Sequence, residues 1–397
     1  MISLNKHKKI LILGGGELSK EIAISSLRLG IKCICVDNYS GCPASYICSD
    51  LVCDMFNYNK LLTVIEEERP DCIICEKESI NIELIINIEK EGYNIIPNSK
   101  SIEVCMDKEL LRNLSNDLNI RTTKYNFANS SLEELTYKIE KTGFPCIVKP
   151  CFSSSGKGQS IVHNKIEISK AYKELSQSRG TSSRIIIEEF IDFEFEVTIL
   201  ATKQKDKLLF SPPIIHKQKN GDFYLSYQQK NLISQELQTK CENICNKIIM
   251  ELCNFNDNGV FGVEFFITII DGKFEPIFNE MTPRPHYTGI ITLKSQNYSQ
   301  FDLLLYSIFN INIGTIKLIN DCISHSLVIK NNTNENIRDY EITLENKENV
   351  FYYHFLKPII KKNSTRRVGL IIYYFNNNKK NYNEFEIIES LCENYIH

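Results

Sequence analysis

The sequence predicts a three-domain chain: an α/β domain with a parallel sheet, a central α+β domain and a small C-terminal domain. Three observations predict this class. The chain of 397 residues is longer than one hydrophobic core usually supports. Strand-like and helix-like patterns alternate over its N-terminal quarter, which is typical of a parallel sheet. From Ile319 onward the sequence is richer in Asn and Lys, with short strand-like runs. We therefore predict domains at 1–107, 108–318 and 319–397.

The strand and helix patterns support this division in order along the chain. The predicted N-terminal strands are 10–13, 32–36, 72–75 and 94–96, and the predicted helices between them are 17–29, 58–68 and 82–91. The predicted central elements are a helix at 106–119, strands at 144–149, 184–187 and 195–201, a helix at 235–253 and two strands around Asp271-Gly272. The C-terminal part has strand-like runs at 325–329 and 368–374.

Composition and charge are those of an ordinary globular protein. Hydrophobic residues make up 43% of the chain and charged residues 24%. The net charge of −3 gives no overall electrostatic reason to expect nucleic acid or an anionic membrane as a partner. We expect a cytoplasmic protein, because MISLNKHKK runs directly into the strand-like KILILGGG without an export signal, and no apolar run is long enough to cross a bilayer.

Fifteen cysteines are scattered through the predicted strands and helices. In a reducing cytosol they would stay thiols, and we expect most of them to be small core residues. Three closely spaced pairs are weak candidates for metal ligands: Cys33/Cys35, Cys72/Cys75 and Cys241/Cys245. No second pair stands at zinc-finger spacing from Cys72/Cys75, so metal binding by cysteine is disfavoured.

A glycine-rich turn, 14–16, follows the first strand and opens the first helix. Backbone N–H groups at such a helix start can bind an anion. As a dinucleotide fingerprint the turn is incomplete, because Ser19 stands at the third glycine position, although Asp37 ends the second strand where a ribose-binding acid would lie. A nicotinamide site, a purely structural turn and a site for another phosphate-bearing ligand all stay open. Glu17 would repel a pyrophosphate and attract an amine.

The central part carries the strongest signal, GFPCIVKP followed by SSSGKGQ. A strand-borne lysine, Lys149, and a flexible Ser/Gly loop with a second lysine, Lys157, can neutralise and enclose a triphosphate. The loop is not a Walker A motif, and taken alone it can also be a solvated Ser/Gly linker. The next strand ends in the acids Glu188 and Glu189, and Glu196 follows within another strand. Such a segment can contact an adenine edge and ribose hydroxyls, although exposed acids at the end of a strand would look similar.

Two further acids, Glu264 and Glu280, lie in apolar strands on either side of Asp271-Gly272. Carboxylate oxygens suit Mg²⁺. A strict two-residue hairpin would pair Glu264 with Asn279, so we predict one extra residue or a bulge that brings Glu264 opposite Glu280. Without a cation, two such carboxylates would repel each other.

Other basic residues complete the candidate site. Arg284 follows in a proline-stiffened loop, where an arginine can stabilise a transferring phosphoryl group. Near the C-terminus, Lys357 and the pair Arg366-Arg367 are basic and can bind a phosphate of a second substrate, or can be ordinary surface charge.

Taken in this order, the motifs SSSGKGQ, IIIEEFI, GVEFF, NEMTPRPH and RRVG resemble the ATP-grasp superfamily. With GGGELSKEIAI and PRPHYTGIITL they resemble, over nearly the whole chain, its formate-dependent phosphoribosylglycinamide formyltransferases. The resemblance implies a three-domain ATP-grasp architecture with a Rossmann-like N-terminal domain. It also implies a transferase of purine biosynthesis in which ATP phosphorylates formate and the formyl phosphate is captured by the amine of glycinamide ribonucleotide. A homodimer and Mg²⁺ are implied as well.

The resemblance also assigns residues. It assigns nucleotide contacts to Lys108, Lys149, Ser154, Ser155, Gly156, Lys157, Gly158, Gln159, Glu188, Glu189, Phe190, Ile191 and Glu196. It assigns magnesium binding to Glu264 and Glu280, and catalytic roles to Arg284 and Lys149. It assigns binding of glycinamide ribonucleotide to Glu17, Leu18, Glu76, Tyr287, Lys357, Arg366 and Arg367.

Two positions depart from the family pattern. Lys108 stands where the family usually has arginine, which keeps the charge but loses bidentate geometry. Tyr287 stands where the family has an aspartate facing the substrate amine, and a phenol does not supply that charge at neutral pH. Either Glu17 and Glu76 suffice to bind the amine, or the acceptor differs, or activity is weakened. A related carboxylate–amine ligase, such as a carboxyaminoimidazole ribonucleotide synthase, and a nucleotide-binding module without turnover are the alternatives.

Overall fold

The computed structural model describes residues 8–78, 80–129, 131–152, 158–177, 184–219, 221–338, 340–342 and 348–375. The N-terminal part is a five-stranded parallel sheet in the order β3-β2-β1-β4-β5. Its strands are β1 (Lys9–Leu13), β2 (Lys32–Asp37), β3 (Ser49–Val52), β4 (Cys72–Cys75) and β5 (Ile95–Ile96), and its helices are α1 (Glu17–Arg28), α2 (Tyr58–Glu68), α3 (Ile82–Lys90) and α4 (Ser99–Met106). The predicted parallel sheet is confirmed; β3 and α4 are additional.

The next part is a four-stranded antiparallel sheet in the order β6-β9-β7-β8. It follows α5 (Lys108–Asp117) and consists of β6 (Tyr125–Asn129), β7 (Cys146–Pro150), β8 (Ser160–Val162) and β9 (Arg184–Glu189), with the helices α6 (Leu132–Thr142) and α7 (Ile168–Gln177). Apolar residues of both helices pack on this sheet and form a separate core. Pairing of β7 with β9 sets Ile147 opposite Glu188, so Lys149 and Glu188 share one face.

The largest sheet contains the remaining strands, in the order β15-β14-β10-β12-β13-β16-β18-β17, with β11 paired to β10. Its strands are β10 (Phe195–Gln204), β11 (Lys207–Phe210), β12 (Ile214–Lys219), β13 (Asp222–Gln228), β14 (Asn258–Ile270), β15 (Lys273–Thr282), β16 (Asp321–Asn331), β17 (Val350–His354) and β18 (Ser364–Phe375), and its helices are α8 (Gln235–Leu252), α9 (Thr292–Ser295) and α10 (Gln300–Ile308). Since β13 pairs with β16, the predicted C-terminal domain continues the central sheet. The division at 318/319 stays a prediction.

One apolar core joins the N-terminal sheet to the large sheet. Leu18 of α1, Phe301 of α10 and Leu370 of β18 belong to it, and each is fully buried. This packing brings the start of α1 close to the large sheet. No helix among the described residues is both long and apolar enough to cross a membrane.

Candidate active site

A β-bulge sets the register of the two predicted metal-binding acids. Asp271 and Gly272, both with positive φ, form the turn, and Ile270 pairs with Lys273 across it. The register then shifts between Glu264 and Phe265, so that Glu264 lies opposite Glu280. The predicted extra residue is therefore confirmed, and it lies within the strand pair rather than in the turn.

Further polar side chains share this face of the sheet. Glu196 pairs with His216 of the neighbouring strand, and one oxygen of each carboxylate, Glu196 and Glu264, lies within 4.8 Å of a His216 nitrogen. The His216 Nε2 atom is 3.8 Å from Glu196 Oε1 and 3.7 Å from Glu264 Oε1, and no described residue hydrogen-bonds to it. From the loop after β15, His286 Nε2 approaches Glu264 Oε1 at 3.3 Å.

At Glu196 and Glu264, burial and neighbouring acids outweigh nearby positive charge, including that of Lys149 near Glu264. Burial and the charge of Glu280 raise the pKa of Glu196 to about 8. Burial, with Glu280 and Glu196 as neighbours, raises the pKa of Glu264 well above its ordinary value. Burial also lowers the pKa of His216 to about 3, so the imidazole is neutral at pH 7. The face therefore presents oxygen and nitrogen donors that a cation would stabilise.

Arg284 is held beside this face by an acid of the N-terminal part. Its guanidinium donates to the Glu78 carboxylate, and its Nη1 atom donates to the Pro285 carbonyl at 2.9 Å. Burial disfavours the charge, but Glu78 and Glu76 outweigh it and raise the pKa of Arg284. Glu78 also lies near enough to Glu264 to raise that pKa. The N-terminal sheet and the large sheet thus meet at the predicted metal site.

Lys149 is anchored by a buried network. Its Nζ atom lies 2.5 Å from Glu188 Oε2, while Arg112 Nε and Thr123 Oγ1 donate to Glu188 Oε1 at 2.7 and 2.9 Å. Burial alone would raise the pKa of Glu188, but the charges of Arg112 and Lys149 outweigh it and lower the pKa. Glu188 is only 2% exposed. It therefore fixes the position of Lys149, and its predicted nucleotide contact stays a prediction.

Lys108 lies close to the same network. Burial is the first cause of its lowered pKa and the charge of Lys149 the second, while Glu280 and Glu188 act in the opposite direction. Two lysines and two acids from four different elements, α5, β7, β9 and β15, therefore face one region. This is the arrangement expected around a bound polyphosphate.

The other predicted nucleotide contacts lie around this network. Glu189 accepts from the Lys124 amide at 2.8 Å, and the Phe190 amide donates to the Pro145 carbonyl at 3.2 Å. Phe190 is 40% exposed and Ile191 is half-buried at the edge of the sheet. Gly158 and Gln159 lead into β8, whereas Ser154, Ser155, Gly156 and Lys157 lie outside the described residues.

The glycine turn is closely packed against the protein itself. The Gly15 amide donates to Asp37 Oδ2 at 2.9 Å, and Lys77 Nζ lies 2.9 Å from the other oxygen of that carboxylate. A side chain at residue 15 would place its Cβ 2.2 Å from the Cys42 sulfur. Asp37 therefore serves the turn, which disfavours a dinucleotide ribose as its partner.

At the start of α1, the carboxylate of Glu17 is bound from two sides. Lys357 donates to one oxygen and the Tyr287 phenol to the other. Burial would raise the pKa of Glu17, but the charge of Lys357 and the two hydrogen bonds lower it. Burial, followed by the charge of Glu17, raises the pKa of Tyr287 well above 10, so the phenol is neutral. Glu76 lies beside the same turn, because a Cβ on Gly14 would fall 2.6 Å from its Oε2.

Arg367 covers Tyr287. Its guanidinium carbon lies 3.8 Å from the centroid of the Tyr287 ring, its Nη2 atom is 3.5 Å from Asp222 Oδ1, and its buried Nη1 atom has no partner among the described residues. Arg366 Nη1 donates to the Ile359 carbonyl at 3.0 Å. Glu17, Glu76, Tyr287, Lys357 and Arg367 thus lie together. The side chain of Leu18 is in the core, so only its backbone is available to a ligand.

Sequence reasoning missed Glu78, Arg112 and His216. The sequence shows Glu78 only as an acid just beyond β4, and Arg112 only as one charge within a helix. His216 occupies a strand position next to Ile215, where an imidazole on an apolar strand is usually a core residue. Their roles depend on strand order and on helix packing, which no local pattern specifies.

The comparisons with known proteins agree with this geometry. The ATP-grasp domain family matches residues 113–301, and the ribonucleotide synthetase preATP-grasp domain family matches residues 7–106. A carboxyaminoimidazole ribonucleotide synthase from Aspergillus clavatus, solved with ATP, superposes with a TM-score of 0.84 at 19% identity over 98% of this chain and 99% of that chain. A protein described as glycinamide-RNase-transformylase T, from Mycobacterium tuberculosis, superposes with a TM-score of 0.71 at 24% identity over 93% of this chain and 95% of that chain. Fold and site define an ATP-grasp enzyme.

Relatives of similar sequence show to which family of ATP-grasp enzymes the chain belongs. The formate-dependent phosphoribosylglycinamide formyltransferase of Methanocaldococcus jannaschii is 42% identical over 84% of this chain and 84% of that protein. The enzyme of the same description from Wigglesworthia glossinidia brevipalpis is 40% identical over 90% and 92%. The chain belongs to the formate-dependent phosphoribosylglycinamide formyltransferase family. The resemblance read from the motifs is thereby confirmed.

Proposed function

We propose that this enzyme uses ATP to transfer the formyl group of formate to the amine of glycinamide ribonucleotide, releasing ADP and phosphate. The observation that carries the proposal is that two candidate sites lie next to each other. The bulge-aligned pair Glu264 and Glu280 and the anchored Lys149 form one site, and Glu17 with Lys357 and Arg367 forms the other. Arg284 lies between them, since Glu76, Glu78 and Tyr287 all influence its pKa.

Magnesium fits the donors on the large sheet. Glu264 and Glu280 would hold it, with Glu196 close by, because these carboxylates are crowded and a divalent cation would offset their repulsion. When bound, Mg²⁺ supplies charge neutralisation for the nucleotide phosphates. The raised pKa values of Glu196 and Glu264 support a cation at this place.

The nucleotide would occupy the space between the four-stranded sheet and the large sheet. Lys149 would bind a phosphate, since Glu188 and Arg112 hold it on the face of β7. Lys108 would add a second positive charge there. The other assigned contacts are Ser154, Ser155, Gly156, Lys157, Gly158, Gln159, Glu188, Glu189, Phe190, Ile191 and Glu196.

The acceptor would bind at the start of α1. Its amine would approach the carboxylates Glu17 and Glu76, and its phosphate would be bound by Lys357, Arg366 and Arg367. The unpartnered Nη1 atom of Arg367 supports an anionic ligand, because a buried donor without a partner is costly. Tyr287 would then orient Glu17 rather than supply charge.

In the mechanism, an oxygen of formate attacks the γ-phosphorus of ATP, ADP leaves, and formyl phosphate forms. The acceptor amine then attacks the formyl carbon, and the C–O bond to phosphate breaks. Arg284 and Lys149 would stabilise the charge on the transferring phosphoryl group. The chain would bind both reactants in line and exclude water from the acyl phosphate, and no side chain need act as a covalent nucleophile. A homodimer is part of the proposal on the strength of the resemblance.

Release of ADP tests the proposal. Purified protein with ATP, Mg²⁺ and formate should release ADP only when glycinamide ribonucleotide is present. Release that needs formate but not this ribonucleotide would indicate another amine acceptor. No release at all would favour a nucleotide-binding module.

A related ligase with a different acceptor is the second candidate. The observation that favours it is Tyr287, whose phenol already occupies one oxygen of Glu17. Replacing formate by bicarbonate and glycinamide ribonucleotide by aminoimidazole ribonucleotide tests it. Faster ADP release with the second pair would establish the ligase.

A further inference from the structure

Glu78 is an acid that no sequence motif assigns to the site. It lies just beyond the end of β4, in the N-terminal part, yet its carboxylate accepts a hydrogen bond from Arg284 Nη2, 206 residues further along the chain. The side chains of Glu78 and Arg284 are 24% and 11% exposed, so water screens the pair only in part. The contact joins the segment after β4 to the loop that follows β15.

This contact fixes the direction of the Arg284 guanidinium. Nη1 donates to the Pro285 carbonyl at 2.9 Å, and Nη2 donates to Glu78. Because Pro285 is the next residue in the chain, its carbonyl holds the guanidinium only relative to its own loop. Glu78 belongs to a different part of the fold. Its bond to Nη2 therefore sets the direction in which the third nitrogen, Nε, faces.

The Nε atom of Arg284 is a donor without a described partner. It is buried, and no described residue accepts a hydrogen bond from it. Such donors are costly and rare in folded proteins, and a bound ligand is one way to satisfy them. Glu78 influences the pKa of Glu264, and Tyr287 influences that of Arg284, so the pair lies between the acids on the large sheet and the acceptor site. An anionic oxygen is the acceptor that suits a charged donor there.

We propose that Glu78 is a positioning residue for the transfer reaction: it orients Arg284 so that the Nε–H group faces the phosphoryl group that passes from ATP to formate. The inference rests on the proposed function, which supplies that phosphoryl group. Glu78 itself would touch no substrate. Without Glu78, the guanidinium would keep its charge and its bond to Pro285 but could turn about its side-chain bonds. A displacement of about 1 Å at a reacting site can cost roughly 100-fold in rate.

A purely structural ion pair would give different results, and the chain offers a matched pair for comparison. Arg184 Nε and Nη2 donate to the two oxygens of Glu109 at 2.7 and 2.6 Å, and Glu109 is 25% exposed. This pair also joins distant elements, α5 and β9. Glu109→Gln is therefore the control for Glu78→Gln.

The first measurement is a double-mutant cycle on steady-state rates. Formate-dependent ADP release is measured for the full-length wild type, Glu78→Gln, Arg284→Lys and the double variant; lysine keeps a positive charge beside Glu78. Glu78→Gln should lower kcat roughly 10- to 100-fold and change KM for ATP by less than about twofold. The double variant should have the kcat of Arg284→Lys within about twofold, because Glu78 then has no guanidinium to orient. Glu109→Gln should have the kcat of the wild type.

The second measurement needs no turnover. The protein is made with arginine labelled with a heavy nitrogen isotope, and the Nε–H signal of Arg284 in the NMR spectrum is assigned by its absence in Arg284→Lys. Inorganic phosphate, which the proposed reaction releases, is the probe. It should shift this signal in the wild type and in Glu109→Gln but not in Glu78→Gln, where Nε no longer faces the anion.

Several results would overturn the inference. In the kinetics these are an unchanged kcat in Glu78→Gln, an equal loss in Glu109→Gln, or losses that multiply in the double variant. In the spectra they are no phosphate shift in the wild type, or an equal shift in Glu78→Gln. A wild type that releases no ADP with formate and the ribonucleotide would instead count against the proposed function, and the spectra would still decide whether Glu78 orients Arg284.

Discussion

The two ends of the candidate active site treat their buried acids in opposite ways. On the large sheet, Glu196 and Glu264 face other acids and a neutral imidazole, and burial raises the pKa of both carboxyls. At the start of α1, Glu17 is equally buried but is bound by Lys357 and Tyr287, and its pKa is lowered. The sheet end, around Glu264, would be stabilised by a cation from solution, whereas the acceptor end, around Glu17, already has Lys357.

This difference indicates which ligand each end can bind. Crowded carboxylates favour a divalent ion, because it stabilises all of them at once. A carboxylate already paired with lysine favours a ligand that carries both charges. An amine can then approach Glu17 while a phosphate approaches Lys357. Glycinamide ribonucleotide has both groups.

The largest expected effect comes from breaking the pair at the acceptor end. Lys357→Met leaves the Glu17 carboxylate buried without its cation, and removing one partner of a buried ion pair costs about 3–5 kcal/mol. The free energy of unfolding in urea should fall by about this amount. The double variant Lys357→Met with Glu17→Gln should recover most of it. Equal losses in the single and double variants would contradict the pairing.

At the sheet end, removing one charge should affect activity more than stability. Glu264→Gln should lower the rate of formate-dependent ADP release by roughly 10²–10³-fold, the effect typical of losing one electrostatic contact in a reacting site. Its stability should change little, because burial and the neighbouring acids raise the pKa of Glu264 and already disfavour its charge. The matched control is Glu275→Gln on the neighbouring strand β15, where Glu275 is bound to Lys240 at 2.7 Å. Full activity in Glu264→Gln would show that the acid pair does not serve catalysis.

The substitution Tyr287→Phe tests how the phenol affects substrate binding at the acceptor end. The variant keeps the ring beneath Arg367 but frees one oxygen of Glu17 for the substrate amine. KM for glycinamide ribonucleotide should fall about tenfold, the value of one hydrogen bond to a charged group, and KM for ATP should not change. A higher KM for the ribonucleotide would mean that the phenol itself binds the acceptor.

The smallest expected effect is on the pH dependence of stability, which should differ between the sheet end and the acceptor end. Because the pKa of Glu196 is raised to about 8, the native state keeps a proton that the unfolded state has lost, so stability falls as pH rises toward 8. For metal-free protein, Glu196 should contribute about 1 kcal/mol to the loss from pH 7 to 8 in urea unfolding, and Glu264, whose pKa is also raised, should add to that loss. The buried histidines are mostly neutral in both states there and contribute little.

Glu17 acts in a different pH range. Its pKa is lowered in the native state, so its contribution is present at neutral pH and is lost only in acid, below its ordinary value of 4.5. Glu196→Gln should therefore reduce the fall between pH 7 and 8, and Glu17→Gln should leave that fall unchanged. The same slope in Glu196→Gln as in the wild type would contradict the assignment to the sheet end.

Much of the fold could be predicted from the sequence because its signals are local. The alternation over 9–96 predicted a parallel sheet, and the glycine turn predicted the start of α1 at Glu17. The Glu264–Glu280 register followed from chemistry, since one extra loop residue or a bulge is needed to set both acids opposite each other, and the structure has the bulge. The short strand Ser49–Val52 was missed, because its SDLV pattern has little hydrophobic character.

What sequence could not predict depends on contacts between distant segments. The pairing of β13 with β16, which joins the C-terminal strands to the central sheet, has no local signal. Neither has the contact of Glu78 with Arg284, 206 residues apart, or the contact of Lys357 with Glu17, 340 residues apart. The sequence therefore predicted which residue types the site needs, and the fold shows which of them already bind one another.

The path of the formate oxygen tests the central claim most directly. Enzyme, ATP, Mg²⁺ and glycinamide ribonucleotide are incubated with formate labelled with a heavy oxygen isotope, and the released phosphate is analysed by mass spectrometry. If formyl phosphate is the intermediate, the labelled oxygen that attacked phosphorus leaves with it, and each phosphate carries one heavy oxygen from formate. Unlabelled phosphate released at the same rate would contradict activation of formate by ATP in this site.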